Sequence, residues 1–209
     1  MCLNSEISLI IFIFNVIICS FLYRRNNVND RWVACIFGYV GSMQLLEYLM
    51  WIDQECSGLN QQATHVGFWL VISQPLVALA TAYYMTGGRL EYWVYAVTLS
   101  YLLYSAPIIY KGKEPNQCSK PCPGSDIGLS WSWAPSTSLV WIIFCLALSA
   151  PFLAMKRNGH IYFIGVITFF LLAGIIGSHR CNGPTAVPSG SLWCLFAFVG
   201  PSLGVFINR

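Results

Sequence analysis

The stretch ISLIIFIFNVIICSFLY, Ile7–Tyr23, decides the fold. Its seventeen residues contain no charge. A helix needs roughly 20 apolar residues, with a range of about 17–25, to cross the hydrocarbon of a bilayer. Every backbone N–H and C=O must be paired inside a membrane, and a helix does this within its own segment. A β-barrel would show short alternating segments, whereas this run is continuous. Its flanks add a direction. Glu6 precedes it, and Arg24 and Arg25 follow it. A signal peptide has its basic residues first. With no small-x-small cleavage site either, the expectation is a retained first helix whose N-terminus is translocated.

Working outward, six more stretches approach the spanning length: Trp32–Ile52, His65–Tyr84, Tyr92–Tyr110, Thr137–Met155, Ile161–Gly177 and Ser191–Ile207. Polar segments bound each one. The sequence therefore predicts an all-α integral membrane protein: a bundle of about seven transmembrane helices, N-terminus outside and C-terminus cytosolic. Residues 1–209 form a single polytopic membrane domain, with a long extracytosolic loop at 111–135. Composition agrees. Of the residues, 56% are hydrophobic and 9% charged, against roughly 25% charged in soluble domains. The net charge of +3 does not suggest a nucleic-acid partner, because the basic residues are spread over short loops.

Loop charge sets the expected orientation. The odd-numbered loops and the C-terminus hold Arg24, Arg25, Arg31, Arg89, Lys156, Arg157 and Arg209; the even-numbered loops hold Lys111, Lys113, Lys120 and Arg180. Basic residues favour the cytosolic side, so the first set is expected inside. The cysteines select the same side independently. Of nine, Cys19, Cys35, Cys145 and Cys194 fall within spans and Cys2 in the N-terminal tail. The other four, Cys56, Cys118, Cys122 and Cys181, all fall in loops expected outside, where disulfides persist. They are disulfide candidates with three possible pairings, the favoured geometry tying the long loop to its neighbours through Cys56 and Cys181. The rival reading, a metal site from Cys118, Cys122, Cys181 and His179, has Cys-x-x-x-Cys spacing. An oxidising compartment and the intervening Lys120 argue against it, and no metal is expected. Trp32, Trp51, Trp69, Trp93, Trp131, Trp133 and Trp193 lie near span ends, where indoles favour the headgroup level.

Glu47 is the acidic residue that lies inside a span. An ionisable group there is costly and commonly marks a pathway, a relay or a partner. Gln44 precedes it by three residues, Tyr48 follows Gln44 by four, and Trp51 follows Glu47 by four, so all four share one helical face. Val40, one turn earlier, is apolar, which confines this polar stripe to the outer half of the helix. Glu47 is about five residues from the outer end, roughly 7–8 Å at helical rise. That face should look into the bundle. Gln74, beside Pro75 in the third span, is the expected partner, since Pro75 frees a backbone carbonyl. Asn15 and the set Tyr95, Thr98, Tyr101 and Ser105 offer further polar atoms. The plainer reading of each is helix packing through modest interhelical bonds.

Pro75, Pro107, Pro151 and Pro201 recur within or near spans, as in helices that line cavities. Gly200 and Gly204 have the spacing that permits close helix contact. No lysine lies in the last span for a retinal Schiff base, Lys156 being the final lysine. No Walker, His-Glu-x-x-His, Gly-x-Ser-x-Gly or haem-attachment pattern occurs, and no cofactor is expected. Catalysis has the least support, because Glu47 has no second acid, base or nucleophile beside it; His65 reads as a polar end-cap. The leading expectation is a small channel or transporter for a small solute or ion, built on Glu47, Gln44, Gln74, Tyr48 and Trp51. The alternative is a structural or binding protein of an endomembrane or envelope. The partner common to both is the lipid bilayer, of the plasma membrane or an endomembrane.

Overall fold

A computed structural model describes residues 4–111, 118–121, 129–131, 138–178 and 193–207. They are almost wholly helical: α1 (Ser5–Arg25), α2 (Asp30–Gly41), α3 (Met43–Ile52), α4 (Leu59–Met85), α5 (Tyr92–Lys111), α6 (Ser138–Ser149), α7 (Gly159–Ser178) and α8 (Trp193–Ile207). A 3-10 segment, Ala150–Ala154, continues α6. Lys120–Pro121 (β1) and Leu129–Ser130 (β2) form a two-residue antiparallel pair within the long connection. In their described residues, all seven apolar stretches are largely helical. Among the described residues, three runs are long and apolar enough to cross a membrane: Ser5–Arg25, Asp30–Ile52 and Leu59–Met85.

Local chemistry explains the ends. Asn4 caps α1 by accepting the Ile7 N–H at 2.9 Å, satisfying a donor that the first turn cannot pair internally. Glu6 in the first turn and Arg24 and Arg25 in the last complement the helix dipole. Asn26 then takes the left-handed conformation (φ 53°), a state Asn tolerates, and its N–H returns to the Leu22 carbonyl at 3.1 Å. The short turn that follows makes α1 and α2 antiparallel neighbours.

The second apolar stretch is one span in length but two helices in detail. At Ser42 the N–H bonds to both Gly38 and Tyr39 carbonyls, and the hydroxyl donates to Tyr39 at 2.6 Å. A serine hydroxyl competing for the helix's own carbonyls bends it in this way. The fifth stretch breaks at Pro151, where α6 tightens into the 3-10 segment because proline supplies no N–H. The third begins earlier than hydropathy suggests, at Leu59 rather than His65.

The α2–α3 unit occupies the centre, packed by α1, α4 and α8. Phe37 is its hub, with ring centroids 5.1 Å from Phe196, 6.0 Å from Phe152 and 6.4 Å from Tyr162. The Gly200/Gly204 spacing is used within the chain. A Cβ on Gly200 would overlap the Phe37 ring, and one on Gly204 would lie 2.9 Å from Val33. On the periphery, α1 exposes Ile10, Ile13, Val16 and Ile17, the large apolar side chains that water does not favour outside and lipid does.

Candidate functional site

Buried polar groups mark three levels along the bundle. At the α1–α2 turn, Arg25 makes a two-pronged contact with Asp30: Nε to Oδ2 at 2.7 Å and Nη2 to Oδ1 at 2.8 Å. Its remaining donors reach the Val205 and Gly204 carbonyls at 2.9 and 3.0 Å. These are last-turn carbonyls of α8, which lack helical partners. Asn158 likewise donates to Ile207 at 3.1 Å. The group is a latch tying α1, α2, α7 and α8.

Halfway along α1, Asn15 Nδ2 donates to the Phe37 carbonyl at 3.2 Å and to Ala197 at 2.7 Å. Its side chain fills the space a Cβ on Gly41 would need. Asn15 is thus a helix-joining group, as the plainer reading expects.

The end bearing Cys56 holds a polar knot. Asp53 Oδ1 accepts from the Ser57 N–H and hydroxyl, each at 2.9 Å, and Oδ2 accepts the Asn60 N–H at 2.8 Å. The Asn60 and Ser57 N–H groups hold the Asp53 carboxyl below the usual carboxylate range. Asn60 Nδ2 donates to Met50 and Ser119 carbonyls at 2.9 Å, and its Oδ1 accepts from Ser119 N–H and from Thr64. Cys56 and Cys118 form a disulfide across 62 residues, with Cα atoms 6.1 Å apart. The long connection is therefore pinned beside the α3–α4 turn, and Leu129 and Trp131 from it join the buried core. Cys56 does tie the long loop to a neighbour; Cys122 and Cys181 lie outside the described residues. Sequence reasoning missed Asn60, Thr64 and Ser119. Asn60 and Thr64 are four apart on one face, a signal hidden by starting the span at His65.

Between these ends lies the expected stripe. Gln44 and Glu47 are 0% and 2% exposed. Tyr48 and Trp51 are half-buried, and the Trp51 indole N–H is buried without a partner. Gln74 is 1% exposed, and neither end of its amide has a hydrogen-bond partner. It does not bond Glu47, and register explains why. Asn60 reaches Met50, Gly67 faces Met43 and Met50, and the Ser73 hydroxyl meets Tyr39 at 2.6 Å. Antiparallel α3 and α4 thus place Gln74 beside Tyr39, five residues or about 7–8 Å deeper than Gln44 at helical rise. Asn60, Gly67 and Gln74 recur every seven residues and share one stripe of α4. Glu47, Gln44 and Gln74 accordingly step inward along one helix pair.

The remaining candidates are occupied in helix packing. The Tyr101 hydroxyl donates to the Ile72 carbonyl at 2.9 Å, while Thr98 and Ser105 bond their own helix. Tyr95 is half-buried. His65 is exposed and accepts the Trp69 indole N–H at 3.1 Å. Trp32 and Trp131, expected at a headgroup level, are buried, whereas Trp69 and Trp93 are exposed. Among the described residues no group of three or more His, Cys, Asp or Glu is gathered as a metal site. No protein-family model, curated protein or solved structure matches the chain.

Proposed function

We propose that the chain is a multi-pass membrane protein whose seven helical stretches each cross the bilayer, N-terminus outside and C-terminus in the cytosol. Within it, Glu47, Gln44 and Gln74 form a path for a small solute or ion, as in a small channel or transporter. The Cys56–Cys118 disulfide supports an oxidising compartment at that end, and Arg24, Arg25 and Arg31 at the α1–α2 turn support a cytosolic one.

The observation that carries the transport reading is Gln74. A buried amide with neither end bonded costs about 1–3 kcal/mol, and a fold that keeps one calls for an explanation. Pro75 beside it leaves the Val71 carbonyl without a helical donor. Together they supply two N–H donors and two acceptor oxygens at membrane depth, enough to replace part of the hydration of a small polar species. Glu47 provides the carboxyl at the outer end of the same series. A structural role is favoured elsewhere, at the Arg25 latch and the Asp53 knot, whose polar groups already have partners.

Proton and monovalent-cation flux into proteoliposomes tests the proposal. Glu47→Gln should abolish flux while the protein remains folded. Gln74→Leu should reduce flux while the melting temperature stays level or rises, because it removes an unsatisfied amide. Wild-type flux in both variants would sink the transport reading and leave the structural one.

A further inference from the structure

Three arginines crowd the α1–α2 turn, and they are not equivalent. Arg25 is consumed by Asp30 and the α8 carbonyls. Arg24 and Arg31 are exposed, and among the described residues neither makes an ion pair. An open groove of about 290 Å³ between α1 and α2 is lined by Cys19, Ser20, Tyr23, Arg24, Ala34 and Cys35. Arg24 is part of the wall. Arg31 lies over the Tyr23 ring, 5.2 Å from its centroid, which directs its guanidinium to the groove's edge. Asp30, the carboxylate next in sequence to Arg31, is fully buried against Arg25 and offers the groove no counter-charge.

The groove thus has a polar, doubly cationic mouth and an apolar floor of Ala34 and the Cys19 and Cys35 side chains. Cysteine in such a setting behaves as a small apolar residue. Guanidinium groups bind phosphate through paired N–H donors, and basic residues at the cytosolic end of a span favour anionic lipids. We propose that this groove holds one anionic phospholipid of the cytosolic leaflet. Its phosphate lies between Arg24 and Arg31 with the headgroup on the aqueous side, its glycerol ester region near Tyr23 and Ser20, and one acyl chain along Ala34 and Cys35. The mouth and floor match the two ends of a lipid, which a free phosphate would not need. The proposal rests on the membrane placement and orientation above and is independent of transport, so loss of flux and loss of lipid are separate outcomes.

Native mass spectrometry of the full chain, purified in detergent with equal amounts of phosphatidylglycerol and phosphatidylcholine, tests it. Wild type should retain one phosphatidylglycerol in preference to phosphatidylcholine. Arg24→Gln/Arg31→Gln should weaken that retention about thirtyfold, two basic residues' share of an anionic-lipid contact. Lys156→Gln/Arg157→Gln, which removes an equal charge elsewhere at the same end, should leave it unchanged. Equal retention of both lipids by wild type, or equal loss in both double variants, would overturn the proposal. So would protection by inorganic phosphate alone: in a thermal-shift assay, phosphate without lipid should not stabilise the chain. A variant that melts below wild type without any lipid is replaced by Arg24→Lys/Arg31→Lys, which keeps the charge and should keep the preference with reduced affinity.

Discussion

Asp53 shows how much a single carboxylate can hold. Both oxygens are occupied, by two N–H groups and a hydroxyl from the segment that starts α4. Its folded pKa lies below the ordinary aspartate value of about 3.9. The stability it contributes is therefore complete above that value and is lost as pH falls through the lower folded value. Melting temperatures taken from about pH 5 down to about pH 2 should fall more steeply for wild type than for Asp53→Asn. Parallel curves would remove Asp53 from the account. Sequence marked Asp53 only as a span-end acid, because its partners are backbone groups that composition does not reveal. Glu47 and Gln44 were legible for the opposite reason: polar residues three apart inside an apolar run are conspicuous, and both are buried. Gln74 was legible as a polar site. Its depth was not, since the register between α3 and α4 depends on contacts such as Gly67 against Met43 and Met50.

At the scale of elements, α8 is seated by the absence of side chains. Gly200 meets the Phe37 ring, and Gly204 meets Val33 one turn earlier on α2 and Leu22 of α1. The glycine spacing could be read from sequence, but its partner could not, because a small-residue stripe fits another copy of a helix as well as a neighbour in the same chain. Gly200→Leu should destabilise the fold by about 1–3 kcal/mol, the usual cost of overpacking, seen as a lower melting temperature. Gly165→Leu, where nothing lies within 4 Å of an added Cβ, should leave it nearly unchanged. Equal melting of the two variants would contradict the α2–α8 contact. Helix bounds followed hydropathy where polarity and hydrogen bonding end together, as at Tyr92. They departed from it at Leu59, where a polar first turn is helical because Gly58 accepts the Gln62 N–H at 3.0 Å.

For the whole molecule, the α2–α3 unit is the axis. Its Phe37 cluster, the Arg25 latch at one end and the disulfide-bonded knot at the other are built from residues far apart in sequence. The seven apolar stretches were legible because a continuous apolar run near the length of a membrane span stands out in any sequence. The pairing of helices was not, because it is decided by long-range partners such as Asn15 with Ala197. Loop charge and cysteine position gave an orientation for separate reasons, and the central claim depends on it. Single accessibility reporters placed in the turns at 26–29, 53–58 and 86–91, and at the C-terminus, test that claim in intact membranes. Labelling from outside is expected at 53–58, with the other three sites protected until the membrane is opened. A C-terminal reporter labelled from outside, or the 53–58 and 86–91 turns found on one side, would contradict it.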